Sequence, residues 1–167
     1  MKKQVKKMLI VFTVVSLLAA LTACDWFYRV YIPVDKEVAC IELIYYNNPD
    51  ARNNPLVEYP LDLDRLEVLE DLISEKMENF LQELSKIGYV GGKPELLLAS
   101  HDGIGVRITY EDGSFQITTL TEVNGEYCFF VGVYNDNGNV VRTTNLLAFE
   151  FEQKFRDVVN EYFTTQI

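Results

Sequence analysis

The chain predicts an α+β domain, a mainly antiparallel sheet with two amphipathic helices packed on one face. Three observations carry that reading. Strand-like runs outnumber helical stripes. The later runs are joined in pairs by the tight-turn sequences Asp112-Gly113 and Asn135-Asp136-Asn137-Gly138, which make antiparallel neighbours rather than crossovers. Two segments, Ser74–Ile87 and Glu150–Phe163, place apolar side chains at helical spacing, and helices segregated from an antiparallel sheet define the class.

Taken in order, the chain starts with a cationic stretch. Lys2, Lys3, Lys6 and Lys7 precede an uncharged run, Met8–Ala23. That run is shorter than the ~20 residues of a spanning helix and has the layout of an export signal. It ends on Leu21-Thr22-Ala23-Cys24, which matches the lipobox of bacterial lipoproteins. Small residues let the signal peptidase approach the backbone, and the Cys24 thiol carries the lipid. The expected organisation is a lipoprotein signal-peptide helix, 1–23, and one extracytoplasmic domain, 24–167. A transmembrane anchor, or a secretory peptide with a chance Cys, is the alternative. Two or three acyl chains hold a protein firmly, since each buried CH₂ contributes ~0.8 kcal/mol.

Trp26–Ile32 alternates weakly and reads as a strand, although its aromatics also suit the membrane headgroup region. Glu37–Tyr46 is rich in β-branched and aromatic residues on both faces, the pattern of a strand buried on both sides. Asn47–Pro60 holds three prolines and four asparagines and reads as the longest irregular loop. Leu61–Ile73 fits either a strand or a helix opened by an Asp64–Glu67 capping box; the reading adopted is a strand over 66–72. Ser74–Ile87 has Ser74 as N-cap, Met77, Phe80, Leu81, Leu84 and Ile87 on one face, and Gly88 as its stop. Glu95–Ala99 reads as a strand. Ile104–Glu111 with Ser114–Thr121, and Glu126–Tyr134 with Asn139–Leu147, read as hairpins. The last helix buries Phe151, Phe155, Val158, Val159 and Tyr162. Leu81 and Phe155, each central in its stripe, are the expected core anchors.

The net charge is −10. Removing residues 1–23 takes away the four lysines and no acid, which moves it to −14. Such acidity argues against nucleic acid, whose binding rests on phosphate neutralisation, and against electrostatic adhesion to anionic lipid. After Cys24 only Cys40 and Cys128 remain. Both fall in apolar runs, and two buried thiols are preferred over the disulfide that an oxidising compartment would permit. No cysteine or histidine spacing marks a zinc site, and no metal or cofactor is expected.

Catalytic signals are few. His101 is the only histidine. His101-Asp102 could be an acid/base pair, but adjacent residues in a turn seldom point at each other, and a turn before Gly103 predicts an exposed imidazole. Asn135–Asn139 echoes a calcium loop, yet the glycine and the twelfth-position Glu of that loop are out of place. Asp62, Asp64, Glu67, Glu70 and Asp71 form an acidic run, best read as a solvated face. Within the Asn47–Pro60 region, Tyr45, Tyr46, Arg52 and Tyr59 could form a polar-aromatic binding lip, since long loops in compact domains are often functional. A plain connection folded over the sheet is the other reading.

Ile41-Glu42-Leu43-Ile44-Tyr45-Tyr46-Asn47-Asn48-Pro49 resembles the opening of small exported and lipoprotein domains of Gram-positive, clostridia-like bacteria. Leu66-Glu67-Val68-Leu69-Glu70, Glu75-Lys76-Met77-Glu78-Asn79-Phe80-Leu81, the Gly103–Phe115 hairpin and the terminal helix fit the same pattern. The resemblance covers most of the mature chain. It implies one domain on the outer surface and, because that family has no assigned activity, transfers no catalytic residue. The expectation is a membrane-anchored lipoprotein on the extracytoplasmic face, acting as a surface interaction or accessory module that binds an envelope protein or wall component. A small-ligand or ion-binding lipoprotein is the alternative. Enzyme chemistry ranks last, because no acid, base and nucleophile can be assembled.

Overall fold

The computed structural model describes residues 27–29, 36–54, 59–91, 101–123, 125–147 and 151–167. In chain order these form β1 (Phe27–Arg29), β2 (Val38–Tyr46), α1 (Pro49–Asn53), a 3₁₀ turn (Leu63–Arg65), β3 (Leu66–Asp71), α2 (Ser74–Leu84), β4 (Gly88–Gly91), β5 (Gly103–Tyr110), β6 (Phe115–Val123), β7 (Glu126–Tyr134), β8 (Val140–Leu147) and α3 (Phe151–Tyr162). The strands make one eight-stranded sheet in the order β1-β4-β8-β7-β6-β5-β2-β3. Every pairing is antiparallel. The fold is therefore α+β, as the turn chemistry predicts.

Two turns set the central ladder. In the first, the Asp112 carboxylate accepts from the Ser114 backbone N–H at 3.0 Å, and Gly113 takes φ +80°, a conformation that glycine adopts without steric cost. Ile108 then faces Gln116, and Ile104 faces Leu120. In the second turn, the Asn135 side chain accepts from the N–H groups of Asn137 and Asn139 at 3.1 and 2.8 Å, an Asx arrangement that pre-forms the reversal. β7 and β8 zip from there.

Cross-strand partners share a face, so the ladder sorts the side chains. Ile41, Leu43, Val106, Ile108, Leu120 and Phe129 belong to one apolar cluster with Phe80 and Leu84 of α2 and Phe155, Val158 and Val159 of α3. Phe129 meets Phe155 edge to face at 5.1 Å, and Phe80 meets Tyr162 at 5.5 Å. On the opposite face Ile44, Phe115, Ile117 and Tyr134 form a second cluster against Leu61 and Leu66. The backbone N–H of Asp62 donates to the Tyr46 hydroxyl at 2.7 Å. The segment before β3 is thereby held as a strap across that face.

Several expectations change. Strand 66–72 is present as β3. The Ser74–Ile87 helix ends at Leu84, and Ile73, not Ser74, occupies the N-cap, with no side-chain hydrogen bond. Ser74 is already inside the helix, one position past the cap. Phe80 is fully buried, while Leu81 is only half-buried, so the anchor of α2 is one residue earlier than expected. Phe155 is fully buried.

The loop expected over Asn47–Pro60 contains α1. The Asn48 side chain accepts from the Ala51 N–H, and Pro49 opens the helix. A sequence that stops a strand here also starts a helix. Gly88, expected as the stop of α2, lies beyond the C-cap Ser85 and instead begins β4, an unanticipated strand that joins β1 to β8. The strand expected at Glu95–Ala99, the signal segment 1–23, Cys24 and most of Trp26–Ile32 lie outside the described residues. Cys40 and Cys128 sit on β2 and β7, with β5 and β6 between them. Three strand spacings come to about 14 Å, beyond the ~7 Å Cα separation that a disulfide spans, so the two are not bonded to each other.

Candidate functional site

The side chains with the most chemistry converge under the strap. His101 is 2 % exposed. Its Nδ1 lies 3.1 Å from the Thr119 hydroxyl, and its Nε2 lies 2.9 Å from the Tyr134 hydroxyl. Phe130 closes one side edge to face at 4.1 Å, and Tyr46 stands 6.0 Å away, ring to ring. The expectation of an exposed imidazole is therefore wrong. Gly132 on β7 explains the difference: a Cβ there would come within 2.7 Å of Nε2 and 2.5 Å of the Tyr134 hydroxyl. The missing side chain makes the room that the ring fills, a long-range fit that no local turn signal reveals.

Burial holds the His101 pKa well below its ordinary value, so the ring is neutral near pH 7. One ring nitrogen then donates and the other accepts, and the two hydroxyls rotate to suit either tautomer. Asp102 is also buried, and its carboxylate accepts from the Asn48 N–H at 2.9 Å. The Thr121 hydroxyl donates to the Asp102 carbonyl oxygen. The His101-Asp102 dipeptide thus ties β6 and β7 to the cap of α1. The rings of Phe130, Tyr46 and Tyr134 stand 4.1, 6.0 and 6.0 Å from the imidazole, centre to centre. What this arrangement does chemically is fix the strap and α1 on the sheet.

The lip proposed from sequence is not brought together as a unit. Tyr46 is fully buried. Tyr45 precedes it on the same strand and is directed to the opposite face. Tyr59 is half-buried, and Arg52 belongs to α1, its side chain outside the described set. The cation that organises this region is Arg65, which sequence reading passed over. It donates to the Asn48 side-chain oxygen at 3.0 Å and pairs with Asp50 and Asp62.

The acidic run is similarly divided. Glu70 accepts from the Thr164 and Thr165 N–H groups at 2.9 and 2.8 Å and from the Thr164 hydroxyl. Those bonds hold its pKa down at about 2. Glu67 and Asp71 remain exposed on β3. Among the described residues no three His, Cys, Asp or Glu side chains are grouped so as to hold a metal ion, and no helix is long and apolar enough to cross a membrane.

Two further features escaped the sequence. Glu42 and Arg107, opposite each other on β2 and β5, form a two-pronged ion pair with Arg107 Nη2 2.6 Å from a Glu42 oxygen. The pairing raises the Arg107 pKa. On the other face of the sheet, Gln116 and Thr118 of β6 are each 1 % exposed, and their side-chain polar atoms have no hydrogen-bond partner among the described residues. No protein-family model, characterised protein or solved structure matches this chain.

Proposed function

We propose that the protein is a lipid-anchored extracytoplasmic lipoprotein whose folded domain is an interaction module, with both long helices seated on one face of the sheet and the strap on the other. The observation that carries the module reading is the enclosure of His101. The chain's only imidazole is neutral, sealed and used to fasten the fold, and a general acid or base must reach its substrate. The lysine-rich start, the uncharged run and Leu21-Thr22-Ala23-Cys24 support the anchor and the location. The likeness to small exported Gram-positive domains points the same way. The test is metabolic labelling with palmitate followed by detergent phase partition. Wild-type chain should carry label and enter the detergent phase, and Cys24→Ala should do neither. A wild-type chain that is unlabelled and wholly aqueous would refute the anchor.

A second reading, a small-polar-ligand lipoprotein, is favoured by one observation. Gln116 and Thr118 keep an amide and a hydroxyl buried between Val106 and Ile108 on β5 and Val131 and Val133 on β7, positions where apolar side chains would pack at lower cost.

A further inference from the structure

The strap and α1 are fastened to the sheet by a chain of contacts that begins at His101. The ring fills the space over Gly132, with the Thr119 hydroxyl at 3.1 Å and the Tyr134 hydroxyl at 2.9 Å. The next residue, Asp102, accepts from the Asn48 N–H at 2.9 Å. The Asn48 side-chain oxygen in turn accepts from the Ala51 N–H of α1 and from Arg65 in the strap. Moving the imidazole out of its slot therefore draws Asp102 off Asn48 and loosens both.

The groups that face the ring offer an imidazolium no counter-ion. β6 presents the Thr119 hydroxyl, and β7 presents Phe130, Gly132 and the Tyr134 phenol. β2 presents the Tyr46 phenol, whose hydroxyl accepts from the Asp62 N–H. Phenols carry no charge in acid. The Asp102 carboxylate is turned to Asn48, and the cation of the strap, Arg65, is paired with Asp50 and Asp62. Burial alone acts on the ring and holds its pKa well below 6.5. A buried charge left unpaired is relieved by moving the group into water. Local release asks less of this fold than complete unfolding. The face under the strap buries Ile44, Phe115, Ile117 and Tyr134 against Leu61 and Leu66, whereas the opposite face keeps the larger cluster shared with both long helices. Segments that bury few apolar side chains open first.

We infer that His101 is a proton-operated latch: in acid the imidazole leaves its slot, and the strap and α1 lift from the sheet while the helix-covered face stays folded. The inference goes beyond the interaction-module reading and does not depend on it. The ring nitrogen that accepts in the closed state takes the proton, and both nitrogens then donate to water. Opening uncovers Ile44, Phe115 and Ile117, an apolar surface that is closed at neutral pH.

The experiment follows amide hydrogen exchange of the full chain in detergent from pH 8 to 4, corrected for the pH dependence of the intrinsic rate. The reporters are the amides of Asn48, Ala51 and Asp62, and the C2 proton of the only imidazole is followed by NMR in the same samples. Below pH 6.5 protection of the three amides should fall by about tenfold per pH unit, since each opening takes up one proton. At the pH where the imidazole titrates, they should be unprotected and the centre of β5 to β7 still protected. His101→Gln should make protection of the three amides independent of pH between 6.5 and 5, and Asp102→Asn should leave the wild-type dependence in place. Loss of protection at the three amides and in β5 to β7 at one and the same pH would show global unfolding and overturn the latch. So would strap amides indifferent to pH, or a pH dependence that Asp102→Asn abolishes, which would move the trigger from the imidazole to the carboxylate.

Discussion

A polar side chain buried without a partner lowers stability by about 1–3 kcal/mol, and β6 carries two such residues on one face. Replacing Thr118 by Val keeps the shape and removes the unpaired hydroxyl, so Thr118→Val should raise the urea midpoint, with a gain of about 1 kcal/mol. A lowered midpoint would show that the hydroxyl is hydrogen-bonded in solution. Packing makes the opposite demand at Phe80, whose ring meets both Tyr162 and Phe163 edge to face at 5.5 Å. Phe80→Ala should cost about 3–5 kcal/mol. Leu81→Ala should cost distinctly less, because its side chain is half in water. Equal losses in the two variants would mean that the buried face of α2 is centred elsewhere.

Elements in this fold are held as much by distant single contacts as by their own propensities. The end of α3 is an instance. Its following residues Thr164 and Thr165 donate to the carboxylate of Glu70, on β3, far back in the chain. Glu70→Gln removes the charge that strengthens these bonds. Exchange of the Thr164 and Thr165 amides should accelerate, while β5 to β7 keep their protection. Unchanged exchange at those two amides would refute the clamp. Contacts of this kind also mark the boundary of what the sequence discloses. Asp112-Gly113 and Asn135 to Gly138 specify their hairpins through bonds spanning two to four residues, so both hairpins and the α+β class can be read directly. β4 has only Gly-Tyr-Val-Gly, too short for alternation to register, and exists because β1 and β8 pair with it. α1 was hidden because Asn-Asn-Pro-Asp serves equally as strand stop and helix start. His101 was misplaced because the space it fills is made by Gly132, on a strand that is its neighbour only after folding. The ion pairs of Arg65 and Arg107 are illegible in the sequence for the same reason, since their acids are brought close only by the strap and by β2.

For the molecule as a whole, proton binding should divide the loss of stability in acid into two stages. Burial holds the His101 pKa well below 6.5, so the native state binds fewer protons there than the unfolded chain. Lowering the pH therefore favours unfolding, and the stability contributed by the neutral ring is complete above pH 6.5 and declines below it, by at most about 1.4 kcal/mol per pH unit. Glu70 and Asp112 are shifted in the same sense for another reason. Backbone and side-chain donors from Thr164 and Thr165 hold Glu70 at about 2, and Lys36 with Ser114 holds Asp112 at about 2. Their contribution is complete above the ordinary carboxylate values of 4.5 and 3.8 and fades as pH falls toward 2. Between pH 6.5 and 5 the decline thus belongs to His101, and below pH 4.5 the carboxylates add to it. Urea unfolding at intervals from pH 8 to 3, on wild type and His101→Gln, separates the stages. The variant should be less stable at pH 8, because Gln fills the space beside Gly132 less well, yet its stability should stay level from pH 7 to 5 while that of the wild type falls. Below pH 4.5 both curves should descend, that of the wild type more steeply for as long as the folded state keeps His101 neutral. A variant that declines in parallel with the wild type between pH 6.5 and 5 would show that the imidazole is protonated as readily in the fold as outside it, and that the enclosure under the strap opens in solution.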